Sequence, residues 1–324
     1  MTPVAQTHPE AAATAPPPRA RPQARPLLGV GLVVLMAAGF ASMDTGVRAL
    51  AGVFPVLLLL WLRYAFQAAV MALWLALAPQ ARFRPDHPRF QLLRGALLLA
   101  TSAMIFLGLQ TMPVPELTTI NLLAPLLVTL LAAWLLHEHV SRLRWSLVAG
   151  GMVGALIVIR PGSGVFGLAV LLPLAGAFTY AAFQVLTSRL SALDPPTTTH
   201  FWTGLVGTVL VTPLLLWQAP QMLATAQAAS AGQWALLTLV AALGTGGHLL
   251  LILALGMAPA STLMPVIYVQ IPLATALGWL VFDRLPDGPA WLGMAVITAC
   301  GASAAWLNLS TRPTAPRSEP AAAD

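Results

Sequence analysis

Asp44 is an acidic residue inside an apolar run, and Arg48 follows it one helical turn later on the same face. Arg63 stands about nine residues into the next run, with Tyr64 beside it and Gln67 one turn further on. A charge at membrane depth costs about 3 kcal/mol or more unless it is paired or hydrated. In an antiparallel helix pair Asp44 can reach Arg63 or Arg48. Two readings stay open. One is a charge pair at a polar cavity, suited to a zwitterion or to proton coupling. The other is a structural ion pair that fixes two helices, with Arg48 snorkelling outward.

Further polar residues interrupt the apolar sequence. Tyr180 and Gln184 repeat the spacing of Arg63 and Gln67; Asn121 precedes Pro125, and Tyr268 and Gln270 precede Pro272. Proline lacks a backbone donor and frees a carbonyl, which is tolerated at membrane depth where it lines a cavity. Interhelical hydrogen bonding is the plainer use of such side chains. His248 follows a Gly-Thr-Gly-Gly stretch and is either a proton shuttle or a neutral hydrogen-bonded group. The candidate substrate-binding set is therefore Asp44, Arg63, Tyr64, Gln67, Asn121, Tyr180, Gln184, His248, Tyr268 and Gln270. Arg48, Pro125, Glu138, Pro272 and Asp283 are candidates for structural or gating roles.

Other patterns fail their context. Gly162-Ser163-Gly164 with Gly167 fits a dinucleotide-binding spacing, but no strand precedes it. His137-Glu138-His139 puts its two imidazoles on different helix faces, so no metal site is expected. The chain has no lysine, which excludes a Schiff base and a phosphate-binding P-loop. Its single cysteine, Cys300, excludes an intrachain disulfide. No cofactor is expected.

The elements that position these residues follow from composition. Of 324 residues, 58% are hydrophobic and 8% charged, against roughly a quarter charged in a soluble domain. Mean hydropathy is +0.81. Such a surface suits lipid rather than water. Ten apolar runs are visible, at about 27–50, 54–78, 93–112, 116–137, 143–160, 165–189, 199–217, 234–256, 260–282 and 289–309. Each is long enough to cross about 30 Å of hydrocarbon. Residues 1–26 are Pro- and Ala-rich and read as a disordered tail, followed by an uncleaved first helix; 310–324 read as a polar tail. With the N-terminus in the cytoplasm, twelve arginines, Arg94 among them, fall on the cytoplasmic side and three (Arg48, Arg160, Arg284) on the other. This positive-inside bias places both termini in the cytoplasm. The basic balance therefore reports membrane orientation rather than nucleic-acid binding.

The chain also repeats itself. Met112, Trp134 and Glu138 recur as Met257, Trp279 and Asp283 at one offset of 145 residues. Two five-helix halves, 27–160 and 165–309, must then have opposite orientations, the inverted-repeat plan of secondary transporters with a site between the halves.

Residues 94–162, with Arg94-Gly95, Pro113, Pro125, Glu138, Gly154 and Arg160-Pro161-Gly162, resemble the first repeat of the EamA domain of the drug/metabolite transporter superfamily. The second half offers Pro265, Tyr268, Gly278, Asp283, Gly293 and Gly301. Within the superfamily, residues 43–50 and the stretch from Pro265 look similar to a subgroup that includes S-adenosylmethionine and riboflavin carriers. Asp283 departs from the usual Glu, and Arg48 from a common Lys, without loss of charge.

The expectation is an all-α membrane protein of ten transmembrane helices in two inverted EamA-like repeats. It acts as a secondary transporter of a small polar or amphipathic metabolite (amino-acid-like, nucleoside-like or vitamin-like) by alternating access in a bacterial inner membrane. Export is the expected direction, from the many efflux carriers that the relatives resemble. A small-molecule substrate and the lipid bilayer are the expected partners; a coupling proton or ion and a homodimer stay open, and nucleic acid is not expected. The competing class is a polytopic membrane enzyme or lipid-handling protein, which would need a clustered catalytic set that the runs do not carry.

Overall fold

A computed structural model of the chain describes residues 26–78, 82–135, 141–160, 167–190, 194–257 and 263–310. Nearly all of both expected tails, and Glu138, lie outside the described residues. The described chain is helical and contains no strand. Its elements are α1 (Pro26–Ala49), α2 (Val56–Leu77), α3 (Pro88–Gly108), α4 (Val114–Asn121), α5 (Ala124–Leu135), α6 (Arg142–Ile159), α7 (Leu171–Leu190), α8 (Pro196–Trp217), α9 (Ala219–Ala228), α10 (Ala231–Met257), α11 (Gln270–Phe282) and α12 (Gly288–Ser310). Tight 3-10 turns at Gly167–Val170 and Met264–Val269 lead into α7 and α11.

Proline sets many of the starts. It occupies the first or second position of α3, α4, α8 and α9, where its fixed φ suits the helix and its missing N–H has no acceptor to lose. Among the described residues, six helical stretches are long and apolar enough to cross a membrane; 114–128, 145–159, 266–282 and 288–304 are shorter apolar helices. Large side chains such as Leu77, Trp217 and Leu280 stand on the outside of the bundle, as a lipid-facing surface requires.

The structure revises two expected runs and adds one helix. The run 116–137 is broken at Leu122–Leu123, because Pro125 at the second position of α5 cannot donate back across the junction. In the run 260–282, Met264–Val269 form a 3-10 turn and Pro272 falls in the first turn of α11, where no helical bond is lost. The short helix α9, absent from the expected set, fills the connection from α8 to α10.

The most extensive helix contacts obey an exchange rule, while smaller ones such as α2 against α3 have no counterpart of like extent. Match α1, α2, α3, α4/α5 and α6 with α7, α8, α10, the 264–269 turn with α11, and α12. Then α1 against α10 maps onto α7 against α3, α2 against α10 onto α8 against α3, and α1 against α11 onto α7 against α5. The pairs α2–α8 and α6–α12 map onto themselves. In the second of these a β-carbon on Gly293 would lie 2.7 Å from the Gly154 carbonyl oxygen, and one on Gly154 3.1 Å from the Gly293 oxygen. That is the small-residue contact that lets membrane helices approach closely.

Candidate substrate site

Helix α2 presents Arg63, Tyr64 and Gln67 to the interior, each at most 2% exposed. Tyr64 lies flat against α8 because Gly207 leaves room: a β-carbon there would sit 2.4 Å from the ring. Ser102 of α3 shares a 2.9 Å hydrogen bond with the Tyr64 hydroxyl and accepts from Arg63 Nη1 at 3.1 Å. The guanidinium carbon stands 4.8 Å from the Tyr64 ring centre, a cation–π arrangement. Gln67 donates through Nε2 to the His200 carbonyl at 2.9 Å, with His200 Nδ1 at 3.3 Å from the same nitrogen.

Asp44 approaches this group from α1 and His248 from α10. Both are buried. Gly244, one turn before His248, lies against Arg63: a β-carbon there would meet Nε at 2.8 Å. The His248 ring packs edge-on against Phe40 at 4.9 Å and stands 6.3 Å from the His200 ring. Arg63 is the cation that acts on Asp44. Yet neither Arg63 nor Arg48 forms an ion pair with Asp44 within the 4.0 Å limit of direct contact. The expected tight pair is thus replaced by a spaced one. Arg48 is used elsewhere, because the C-terminal carbonyls of α3 have no helical donors; it donates to the Leu109 oxygen at 2.7 Å.

Four buried polar atoms here have no hydrogen-bond partner in the protein: Asp44 Oδ1, Arg63 Nε, Gln67 Oε1 and His200 Nε2. Left so, each costs about 1–3 kcal/mol. A cluster of this kind on three helices is equipped to hold a polar molecule.

The remaining sequence candidates divide. Tyr180 on α7 stacks on Phe183 with ring centres 5.7 Å apart. Phe183 in turn underlies Arg94 of α3 at 4.6 Å. Gln184 is half-buried one turn beyond Tyr180. Arg94, which sequence reading left among the interfacial arginines, is 3% exposed. It donates to the hydroxyls of Thr187 and Thr203 and to the Thr199 carbonyl. Tyr268 belongs to a different seam: its hydroxyl donates to the Leu122 carbonyl at 3.4 Å, at the break between α4 and α5, and its ring meets Gly301 of α12. Gln270 is buried at the start of α11. Asn121 ends α4 half-buried, with Oδ1 unpartnered. Asp283 takes the left-handed conformation (φ 54°, ψ 37°) that closes α11, its N–H bonded to the Trp279 carbonyl.

The two ends of the bundle differ. Where α2 and α7 finish, Asp194 is buried and accepts from the Asp86 N–H at 2.8 Å and from Gln91 Nε2 at 2.7 Å. Phe83 packs edge-on against Phe201, and Trp202 donates to the Phe83 carbonyl. The α2–α3 connection is thereby clasped to the start of α8. At the opposite end, where α1, α6 and α11 finish, a cavity of about 610 Å³ is lined by charged residues including Arg48, Glu116, Arg160, Arg284 and Asp287. Arg160 and Asp287 form an ion pair of 2.6 Å across it. Asp287 also accepts from the Ala290 N–H at the start of α12. That backbone bond first, and the Arg160 bond second, hold its carboxyl below the usual aspartate range.

An all-helical, multi-pass bundle in two matched halves, with a buried polar cluster where they meet, is the build of a membrane carrier. The profile of the EamA-like transporter family matches residues 27–160 and again 167–302, and the chain belongs to that family, within the drug/metabolite transporter superfamily. A riboflavin transporter of Vibrio cholerae is 32% identical over 246 residues, covering 72% of this chain and 78% of that protein. An S-adenosylmethionine uptake transporter of Rickettsia bellii is 23% identical, over 72% of this chain and 78% of its own length. A pseudopaline exporter of Pseudomonas aeruginosa is 24% identical, over 84% and 94%. A crystal structure at 21% identity superposes with a TM-score of 0.59 over 87% of this chain and 96% of that one, which shows the fold. The family and these relatives are transporters, not enzymes.

Proposed function

We propose that the chain is a secondary carrier of a planar heteroaromatic metabolite of the riboflavin type, working by alternating access around the cluster of Asp44, Arg63, Tyr64, Gln67, His200 and His248. The observation that carries this reading is the meeting of α1 and α2 with α8 and α10 at that cluster, so that both halves supply groups to one polar centre. Its partly unpartnered polar atoms and its aromatic neighbours suit a ring bearing several hydrogen-bonding groups. In this reading the short apolar helices complete ten crossings in two inverted halves, with Arg82, Arg84, Arg89 and the Asp194 clasp on the cytoplasmic side of a bacterial inner membrane. The charged cavity at the other end is then the outer vestibule.

Uptake replaces export as the proposed direction. Four Rickettsia relatives carry uptake in their names, against one Pseudomonas relative named an exporter. The test is flux of radiolabelled riboflavin and S-adenosylmethionine in proteoliposomes of defined orientation, with Arg63→Ala as control. Riboflavin flux lost in the variant supports the reading. Flux of S-adenosylmethionine alone, or of neither compound, refutes the flavin assignment.

A further inference from the structure

Arg63 and Arg94 are 2% and 3% exposed, and all the hydrogen-bond acceptors they engage are neutral: Ser102 for the first, and Thr187, Thr199 and Thr203 for the second. Each also faces an aromatic ring, Tyr64 and Phe183 respectively. Neither guanidinium meets a carboxylate within 4.0 Å. Asp44 is the carboxylate that Arg63 acts on. Asp194, the acidic group nearest Arg94 along the hydrogen-bond chain through Gln91 and Thr199, is committed to the Asp86 N–H and to Gln91 at the edge of the bundle. Asp44 thus stands near Arg63 alone, and no carboxylate among the described residues meets Arg94.

The guanidiniums also share a neighbourhood. Arg94 bonds Thr199 and Thr203 of α8, Gln67 one turn from Arg63 bonds His200 beside Thr199, and Gly244 one turn from His248 lies against Arg63. Tyr180, stacked on the Phe183 ring that underlies Arg94, marks the α7 side, and the neighbouring His200 and His248 rings mark the α8 and α10 sides. A buried charge with no counter-ion is unfavourable unless a ligand completes it. Arginine, with its planar fork of donors, is suited to carboxylate and phosphate oxygens.

We infer that the group recognised between Arg63 and Arg94 is acidic: the carrier prefers a planar heteroaromatic metabolite bearing a carboxylate or phosphate over the same ring without one. The inference rests on the carrier reading above and names the charge of its substrate. The negative group balances the second guanidinium, and Tyr64, Phe183 and Tyr180 supply aromatic surface beside it.

The experiment is calorimetric titration of the full chain in lipid nanodiscs with two matched pairs, riboflavin 5′-phosphate against riboflavin and nicotinate against nicotinamide. The expected result is binding at least tenfold tighter for the acid in one or both pairs, with the ratio falling to within twofold in Arg94→Gln. A phosphate preference alone or a carboxylate preference alone identifies which acid is taken. Arg94→Lys, which keeps the charge, retains part of the ratio. Only variants that elute as a single species with unchanged helical circular dichroism are compared, and Thr203→Val, which frees Arg94 of one hydroxyl, substitutes for a variant that does not fold. Equal affinities within both pairs, or a ratio that survives Arg94→Gln, overturn the inference. If neither flavin binds, the flavin-type reading fails while the nicotinate pair still decides the charge preference. No binding by either acid overturns the inference, and riboflavin binding in that case leaves the carrier reading standing.

Discussion

Gln67 on α2 donates its side-chain amide to the main-chain carbonyl of His200 on α8 at 2.9 Å, a bond that joins the first repeat to the second inside the bundle. Gln67→Leu keeps the volume and removes the donor. One interhelical bond in a membrane protein is worth about 0.6–2 kcal/mol, so the thermal midpoint should drop by a few degrees. Riboflavin flux should fall by more than that stability loss implies, because Gln67 Oε1 also belongs to the unpartnered set. Flux unchanged at saturating substrate would remove Gln67 from the site.

Asp44 and Arg63 interact without touching. Asp44→Asn preserves shape and discards charge; Arg63→Ala strands Asp44 without its cation. Both should abolish flux while leaving a monodisperse, helical protein. Aggregation of both on extraction would instead mark the two residues as structural.

Gly207 is the floor on which the Tyr64 ring rests, and an added β-carbon would penetrate it. Gly207→Ala should cost about 1–3 kcal/mol, the usual penalty of overpacking, read as a lowered melting temperature. Gly31, with open space around it, accepts the same substitution without loss and serves as the comparison.

Asp194 ties the α2–α3 connection to the start of α8. Asp194→Ala removes the acceptor of the Asp86 N–H and one of the two acceptors of Gln91 Nε2, which keeps Thr199. Hydrogen exchange of the amides at 86–94 should quicken at least tenfold while exchange in α12 stays unchanged. A uniform rise over the whole chain would point to global destabilisation rather than an opened clasp.

Asp287 has a folded-state pKa below its ordinary value of 3.8. Its contribution to stability is therefore complete above the unfolded value and disappears as pH falls through the folded one. The melting temperature of the parent should exceed that of Asp287→Asn by a constant margin above about pH 5, with the margin shrinking as the solution is acidified below that. A margin that grows on acidification would contradict the cap and the Arg160 pair as its source.

Much of this architecture is legible in the sequence because membrane helices are written in long apolar runs. A polar residue inside such a run stands out, which is how Asp44, Arg63, Tyr64 and Gln67 were found. Arg94 and His200 were missed for the opposite reason: both sit near the ends of their runs, where a charge needs no explanation, and only the structure shows each within 3% of complete burial. Ser102 gave no signal, since a hydroxyl within a helix commonly satisfies itself on its own backbone. Asn121 and Tyr268 were grouped with the centre on the strength of nearby prolines. The structure puts Tyr268 against Leu122 and Gly301 instead, because the prolines there break helices rather than line one shared space. Helix α9 was unreadable because it is short and only one of its residues, Met222, is buried.

The exchange rule in the packing carries an energetic consequence for the proposed transport cycle. In that cycle, a duplicated chain whose main contacts map onto themselves when the halves trade places can reuse them with roles reversed in a second arrangement. The resting preference for one arrangement must then come from the places where the two halves are not copies. The clasp end has a buried carboxylate accepting two hydrogen bonds, Asp194. Its counterpart on the opposite side, where the α1–α2 connection approaches α10, has the ring contact of Phe54 with Trp234 at 5.2 Å. The direction in which the proposed cycle rests depends on such differences, the Asp194 clasp against the Phe54–Trp234 contact among them. A few substitutions at either location could reverse it without altering the centre that binds the cargo.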